Sequence, residues 1–141
     1  MSGRTFVDTN VLIYAHDSEA GAKREIAREI IGDLWDERSG LLSVQVLQEF
    51  YVNATRKIAV PLSTASARAV VAAYKTWCIP PAIEDVADAF RAEDEARIGF
   101  WDALVIASAT RSGAARILSE DLNAGQSIRG IKIENPFANA G

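Results

Sequence analysis

Short apolar runs alternate along this chain with longer amphipathic stretches, and that alternation constrains the fold more than any single motif. Thr5-Phe6-Val7 is β-branched or aromatic and bounded by polar residues, as a buried strand is. A short helix is expected over residues 11–15. Over residues 20–38, Ile26, Ile30 and Leu34 recur every four positions among charged residues, the spacing of one helix face. Leu41 and Leu42 follow Gly40 as a second strand. Ser43 can cap a helix over residues 44–57 that gathers Val46, Leu47, Phe50, Tyr51 and Ala54 on one side.

The second half repeats the alternation. Residues 63–77 are Ala-rich and helical, and Cys78-Ile79 reads as a very short strand before Pro80-Pro81 breaks the chain. Residues 83–96 form a further helix, with Val86, Ala87 and Phe90 expected inward and its acids outward. Gly99 separates it from a helix over residues 101–112 that is apolar on nearly every side and therefore central. Residues 115–118 read as a strand, 119–130 as a loop and 131–133 as a last strand. Strands separated by helices imply an α/β fold, a mostly parallel sheet covered by helices on both faces. With 141 residues, 49% of them hydrophobic, the chain suits one domain spanning 1–141.

Composition removes several chemistries. One cysteine, Cys78, allows no internal disulfide, and with the single His16 it leaves too few ligands for a zinc finger or a Cys/His catalytic site. No apolar stretch reaches the ~18 residues of a membrane span, and the N-terminus lacks a secretion-signal pattern, so a cytoplasmic protein without membrane contact is expected. The net charge of -4 argues against a coat protein held to nucleic acid by phosphate neutralisation. It is compatible with an enzyme that reaches phosphates through a metal, because such a metal needs acidic ligands.

In open parallel sheets, ligands bind beyond the carboxyl ends of the strands. Asp8 follows the first strand, and Glu120-Asp121 closely follows the strand at 115–118, so parallel pairing would place these acids on one edge. Taken singly, each acid has an ordinary reading. Asp8-Thr9-Asn10 can be an Asx-turn or helix cap. Asp102, at the entrance of the central helix, is either a functional carboxylate or a first-turn acid, and the helix dipole returns only ~0.3–1 kcal/mol of its burial cost. Glu49 lies away from the apolar stripe of its helix, as a solvated residue does.

Together the acids are more specific. Asp8-Thr9-Asn10, Gln48-Glu49-Phe50, Trp101-Asp102-Ala103-Leu104 and Ser119-Glu120-Asp121-Leu122, in that order, resemble the signature of PIN-domain ribonucleases, and by size and spacing the VapC toxins of bacterial toxin–antitoxin pairs. The resemblance implies a three-layer α/β/α sandwich with four to five strands. It also implies that Asp8, Glu49, Asp102 and Asp121 act catalytically and hold Mg²⁺ or Mn²⁺, with Glu120 as the alternative fourth acid and Thr9 and Asn10 hydrogen-bonding in support of Asp8. RNA would be the substrate, cut to a 5′-phosphate and a 3′-hydroxyl. A VapB-type antitoxin would be the partner, wrapping the helices and placing a basic side chain in the pocket of a homodimeric toxin.

Other residues receive plainer readings. His16 lacks a recognisable partner, Glu93-Asp94-Glu95 reads as a solvated helix face, and Trp101 is expected in the core with an indole able to border the site. Arg56, Lys57, Arg97 and Arg129 are the candidate RNA contacts. Two alternatives remain at this level. A haloacid-dehalogenase-like phosphohydrolase would use Asp8 as nucleophile but ordinarily has a second Asp where Asn10 stands, and a non-catalytic binding module would keep the fold alone.

Overall fold

The computed structural model describes residues 3–122 and 125–140. Five strands form one sheet in the order β2-β1-β3-β5-β4. They are β1 (Arg4–Val7), β2 (Gly40–Leu41), β3 (Ala114–Leu118), β4 (Ser127–Ile128) and β5 (Ile131–Glu134). β1 runs parallel to β2 and β3, β3 runs parallel to β5, and only β4 is antiparallel. The helices are α1 (Thr9–His16), α2 (Ala22–Glu37), α3 (Val44–Arg56), α4 (Thr64–Tyr74), α5 (Glu84–Ala96) and α6 (Phe100–Ser112), and a 3₁₀ turn, Lys75–Trp77, follows α4.

Thr5, Phe6 and Val7 are consecutive and all buried. In a strand, neighbours point to opposite faces, so both faces of the sheet are covered, as the alternation of strands and helices implied. Local chemistry sets the helix starts: the Ser43 hydroxyl accepts from the Val46 N–H, and the Ser63 hydroxyl from the Ser66 N–H. Close approach requires glycine at position 40. A Cβ on Gly40 would meet Trp77 ring carbons at 2.6 Å, so β2 passes under the indole only because residue 40 has no side chain.

Several expectations need correction. The pair Cys78-Ile79 forms no strand; Cys78 makes a single isolated bridge to Leu42. The loop at 119–130 contains β4, whose two residues pair with β5. On α5 the inward face is Asp85, Ala89 and Ala92, while Val86, Ala87 and Phe90 are exposed. The physical reason is twofold. Small alanines let α5 lie close against α6, and Arg111 of α6 holds Asp85 through Nε at 2.7 Å and Nη2 at 3.0 Å. Trp101 is 65% exposed rather than in the core.

Candidate active site

The register of the sheet creates the site. Val7 pairs with Leu118 in parallel, and the Asp8 N–H donates to the Leu118 carbonyl at 2.9 Å, so Asp8 and Ser119 leave the same edge side by side. Asp8 then caps α1, accepting from the Thr9 N–H at 2.8 Å. Its other oxygen accepts from the Ser119 hydroxyl at 2.7 Å. Ser119 is fully buried, and its oxygen also accepts the Asp121 and Leu122 N–H groups at 3.2 and 3.1 Å. One hydroxyl thus orients Asp8 and folds the turn that presents Asp121. Sequence reading missed Ser119, although a serine directly after a strand with a short turn behind it is a recognisable turn-former.

Asp8, Glu49, Asp102 and Asp121 line one pocket of about 260 Å³, with Thr9, Asn10 and Trp101 also in its wall. Thr9 and Asn10 bind differently from expectation. Thr9 helps Asp8 through its backbone N–H, but its hydroxyl donates to Glu49 at 2.7 Å. The Asn10 amide donates to Asp121 at 3.2 Å, and its carbonyl oxygen accepts the Glu120 N–H at 3.1 Å. Each therefore ties a distant acid to α1. Glu49 lies off the core stripe of α3 because that flank of the helix faces the pocket, a direction hydrophobic periodicity does not encode.

Glu120 is turned away from the pocket. Its carboxylate accepts from the Tyr14 hydroxyl and from Lys23 Nζ, the latter at 2.6 Å. Burial acts to raise its pKa, but the hydrogen bonds from Lys23 and Tyr14 outweigh it and hold the group below its ordinary value. The pocket acids are perturbed in the other direction. Burial, opposed by the Ser119 and Thr9 hydrogen bonds and reinforced by the charges of Glu49 and Asp102, raises Asp8 to about 6. Burial, then the charges of Asp121 and Glu49, raises Asp102. No lysine or arginine lines this pocket among the described residues.

Such a wall suits an external cation. Its charged groups are, among the described residues, all carboxylates, and their mutual repulsion is relieved by positive charge. Among the described residues no three His, Cys, Asp or Glu side chains converge tightly enough to form a ready-made ion cage. Mg²⁺ does not require one, since it commonly binds through one or two carboxylates and retains several waters. Of the proposed RNA-contacting cations, Arg56, Lys57 and Arg97 are exposed, whereas Arg129 is committed to Asp88 and Glu95 at 2.7 and 2.9 Å.

Fold and site define an α/β protein with an acid-lined pocket at the carboxyl edge of a mostly parallel sheet. Residues 5–126 match the family model of the PIN domain, and the chain belongs to that family. Solved structures share the fold at low identity. A toxin–antitoxin complex from Klebsiella pneumoniae is 18% identical, with a TM-score of 0.67 over 94% of this chain and 97% of that one. DNA-bound VapBC from Salmonella typhimurium is 20% identical, with a TM-score of 0.66 over 96% and 99%. The sarcin–ricin-loop-cleaving toxin VapC20 of Mycobacterium tuberculosis is 20% identical, with a TM-score of 0.57 over 80% and 86%. A search of curated proteins finds no match.

Proposed function

We propose that this protein is a metal-dependent endoribonuclease and the toxin of a toxin–antitoxin pair, acting as one domain in the cytoplasm. The observation that carries the reading is the meeting of Asp8, Glu49, Asp102 and Asp121, from four separate segments, in one pocket without a cationic side chain among the described residues. The similar structures named above, a sarcin–ricin-loop-cleaving toxin and a VapBC assembly, support the substrate and the antitoxin partner.

In this reading the four carboxylates bind and position the catalytic cation, with Asp8 aimed by Ser119, Glu49 by Thr9 and Asp121 by Asn10. A bound Mg²⁺ or Mn²⁺ supplies the positive charge that polarises a phosphodiester and activates a water. The Gln45 and Asn53 side chains complete the polar wall beside Trp101. A basic side chain of the antitoxin would find unneutralised carboxylates in the same pocket. A homodimer, as the family resemblance implies, would cover Ile83, Val86 and Phe90, large apolar side chains exposed on and just before α5.

Asn10 stands where a haloacid-dehalogenase-like enzyme has its second aspartate, and four acids in one pocket disfavour a non-catalytic binding module. The test is cleavage of cellular RNA by the isolated chain in Mg²⁺ or Mn²⁺, with the new 5′ ends mapped. Cleavage that chelator stops and Asp102→Asn abolishes is expected; full cleavage by Asp102→Asn would overturn the site assignment.

A further inference from the structure

A second cavity, of about 550 Å³, lies between the end of α1, α2 and Tyr74, and it contrasts in charge with the acid pocket. His16, Arg24 and Arg28 line it, together with the Ser18 hydroxyl. Among the described residues neither arginine has an acid within ion-pair distance, although Arg91, Arg111, Arg116 and Arg129 all do. Arg24 Nε and His16 Nε2 are buried without a hydrogen-bond partner among the described residues. Unsatisfied buried polar atoms are costly and uncommon in folded proteins, and two in one cationic cavity point to an acceptor brought from outside. His16, Arg24 and Arg28 face this common space, and burial, then the charges of Arg28 and Arg24, lowers the His16 pKa. A neutral imidazole protonated at Nε2 can still donate to an oxyanion.

The position of this cavity suggests the source of that oxyanion. Thr9 and Ile13 line the acid pocket and His16 lines the cationic one. All three residues stand on α1, so one helix borders both cavities within roughly 10 Å along its axis at 1.5 Å per residue. A nucleic-acid strand needs cationic phosphate contacts, and among the described residues the acid pocket supplies none. We propose that the His16–Arg24–Arg28 cavity binds a backbone phosphate of the RNA strand a short distance from the bond that is cut. The inference rests on the ribonuclease reading above and adds to it the place where the strand is anchored.

Binding of a fluorescein-labelled, random-sequence single-stranded RNA to the Asp102→Asn protein in Mg²⁺ tests it, by anisotropy from about 50 to about 200 mM salt. Adding Arg24→Gln and Arg28→Gln should weaken binding about tenfold or more and flatten the salt dependence by roughly 0.7 in log–log slope, the loss of one phosphate contact. Arg24→Lys should recover part of the affinity, and Gly32→Leu, which fills the cavity from α2 while keeping both charges, should weaken binding as well. Circular dichroism and thermal melting establish that each variant folds. Unchanged affinity and slope in the double arginine variant overturn the proposal, as does binding of inorganic phosphate at these residues without any effect on RNA. Cleavage by the wild-type protein separates the two levels: if it cuts RNA while the arginine variant binds normally, only the anchoring site falls, and if it cuts none, the ribonuclease reading falls first.

Discussion

Two acid-rich corners of this molecule are built on opposite principles. At the junction of α5, α6 and the β4–β5 turn, carboxylates have arginines of the same chain: Asp85 pairs with Arg111, and Asp88 and Glu95 pair with Arg129. There, the hydrogen bonds from Arg129 lower the Asp88 pKa against the effect of burial. At the carboxyl edge of the sheet, Asp8, Glu49 and Asp121 receive, among the described residues, neutral donors only, from Ser119, Thr9 and Asn10, and the Asp8 and Asp102 pKa values rise. A fold can neutralise its own acids, as the first corner does. Acids held in place by hydroxyls and amides instead are left in need of a cation from outside, and this separates the candidate site from ordinary surface charge.

The strongest way to break the comparison is Asp8→Asn. Cleavage should fall by at least ~100-fold in an assay of labelled RNA, comparable to removing a key electrostatic group in other enzymes. Stability should move the other way. Because the folded pKa of Asp8, about 6, lies above its ordinary value, the favourable contribution of the protonated acid is present below pH ~4 and lost as pH rises through about 6. Without metal, Asp8→Asn should therefore stabilise the fold at pH 8 by about 1–2 kcal/mol and by almost nothing at pH ~4, read from urea melts. Protons should likewise compete with Mg²⁺ below pH ~6. A variant destabilised equally at both pH values would show that Asp8 is an ordinary structural acid.

Ser119→Ala comes next. It removes the donor to Asp8 and the acceptor of two backbone N–H groups, while leaving all four carboxylates. Metal affinity, measured by calorimetry with Mn²⁺, should drop about 10–100-fold, as for other groups that orient metal ligands. In the paired corner, Arg129→Met should leave cleavage unchanged and cost about 1–2 kcal/mol near neutral pH, reduced from the fully buried case because Glu95 is half exposed. Asp88 has a lowered folded pKa, so its share of that loss is present above pH ~4 and disappears as pH falls through the folded value.

The two corners also differed in how far the sequence disclosed them. Asp8 was legible because a strand followed at once by an acid has its place fixed by the sheet, and the parallel partner at 114–118 placed Asp121 beside it. Glu49 had no such guide, since a helical wheel reports which side faces the core and not which flank borders a cleft. The paired corner was less legible still. Asp85 is drawn inward by Arg111, 26 residues later, and this displaces Val86, Ala87 and Phe90 to the surface against their hydrophobicity. Arg129 looked like a free cation because its partners lie 34 and 41 positions earlier. Periodicity captures short-range order, and long-range ion pairs override it without a local trace.

Glu120 provides the finest test, because it stands beside Asp121 in sequence and belongs to the other class by its contacts. Lys23 and Tyr14 satisfy it as arginines satisfy Asp88, and its carboxylate takes no part in lining the pocket. Glu120→Gln should therefore cost only about 0.5–1 kcal/mol of stability, the value of a partly exposed pair, and change cleavage less than about threefold. Asp121→Asn should impair cleavage far more, although it is the more exposed of the two and takes part in no ion pair among the described residues. If the ranking came out reversed, with Glu120→Gln the damaging change, the fourth acid would sit one residue earlier. The turn after β3 would then have to rotate so that Glu120 left Lys23, and Lys23→Met, which removes that competing partner, would tighten Mn²⁺ binding in calorimetry.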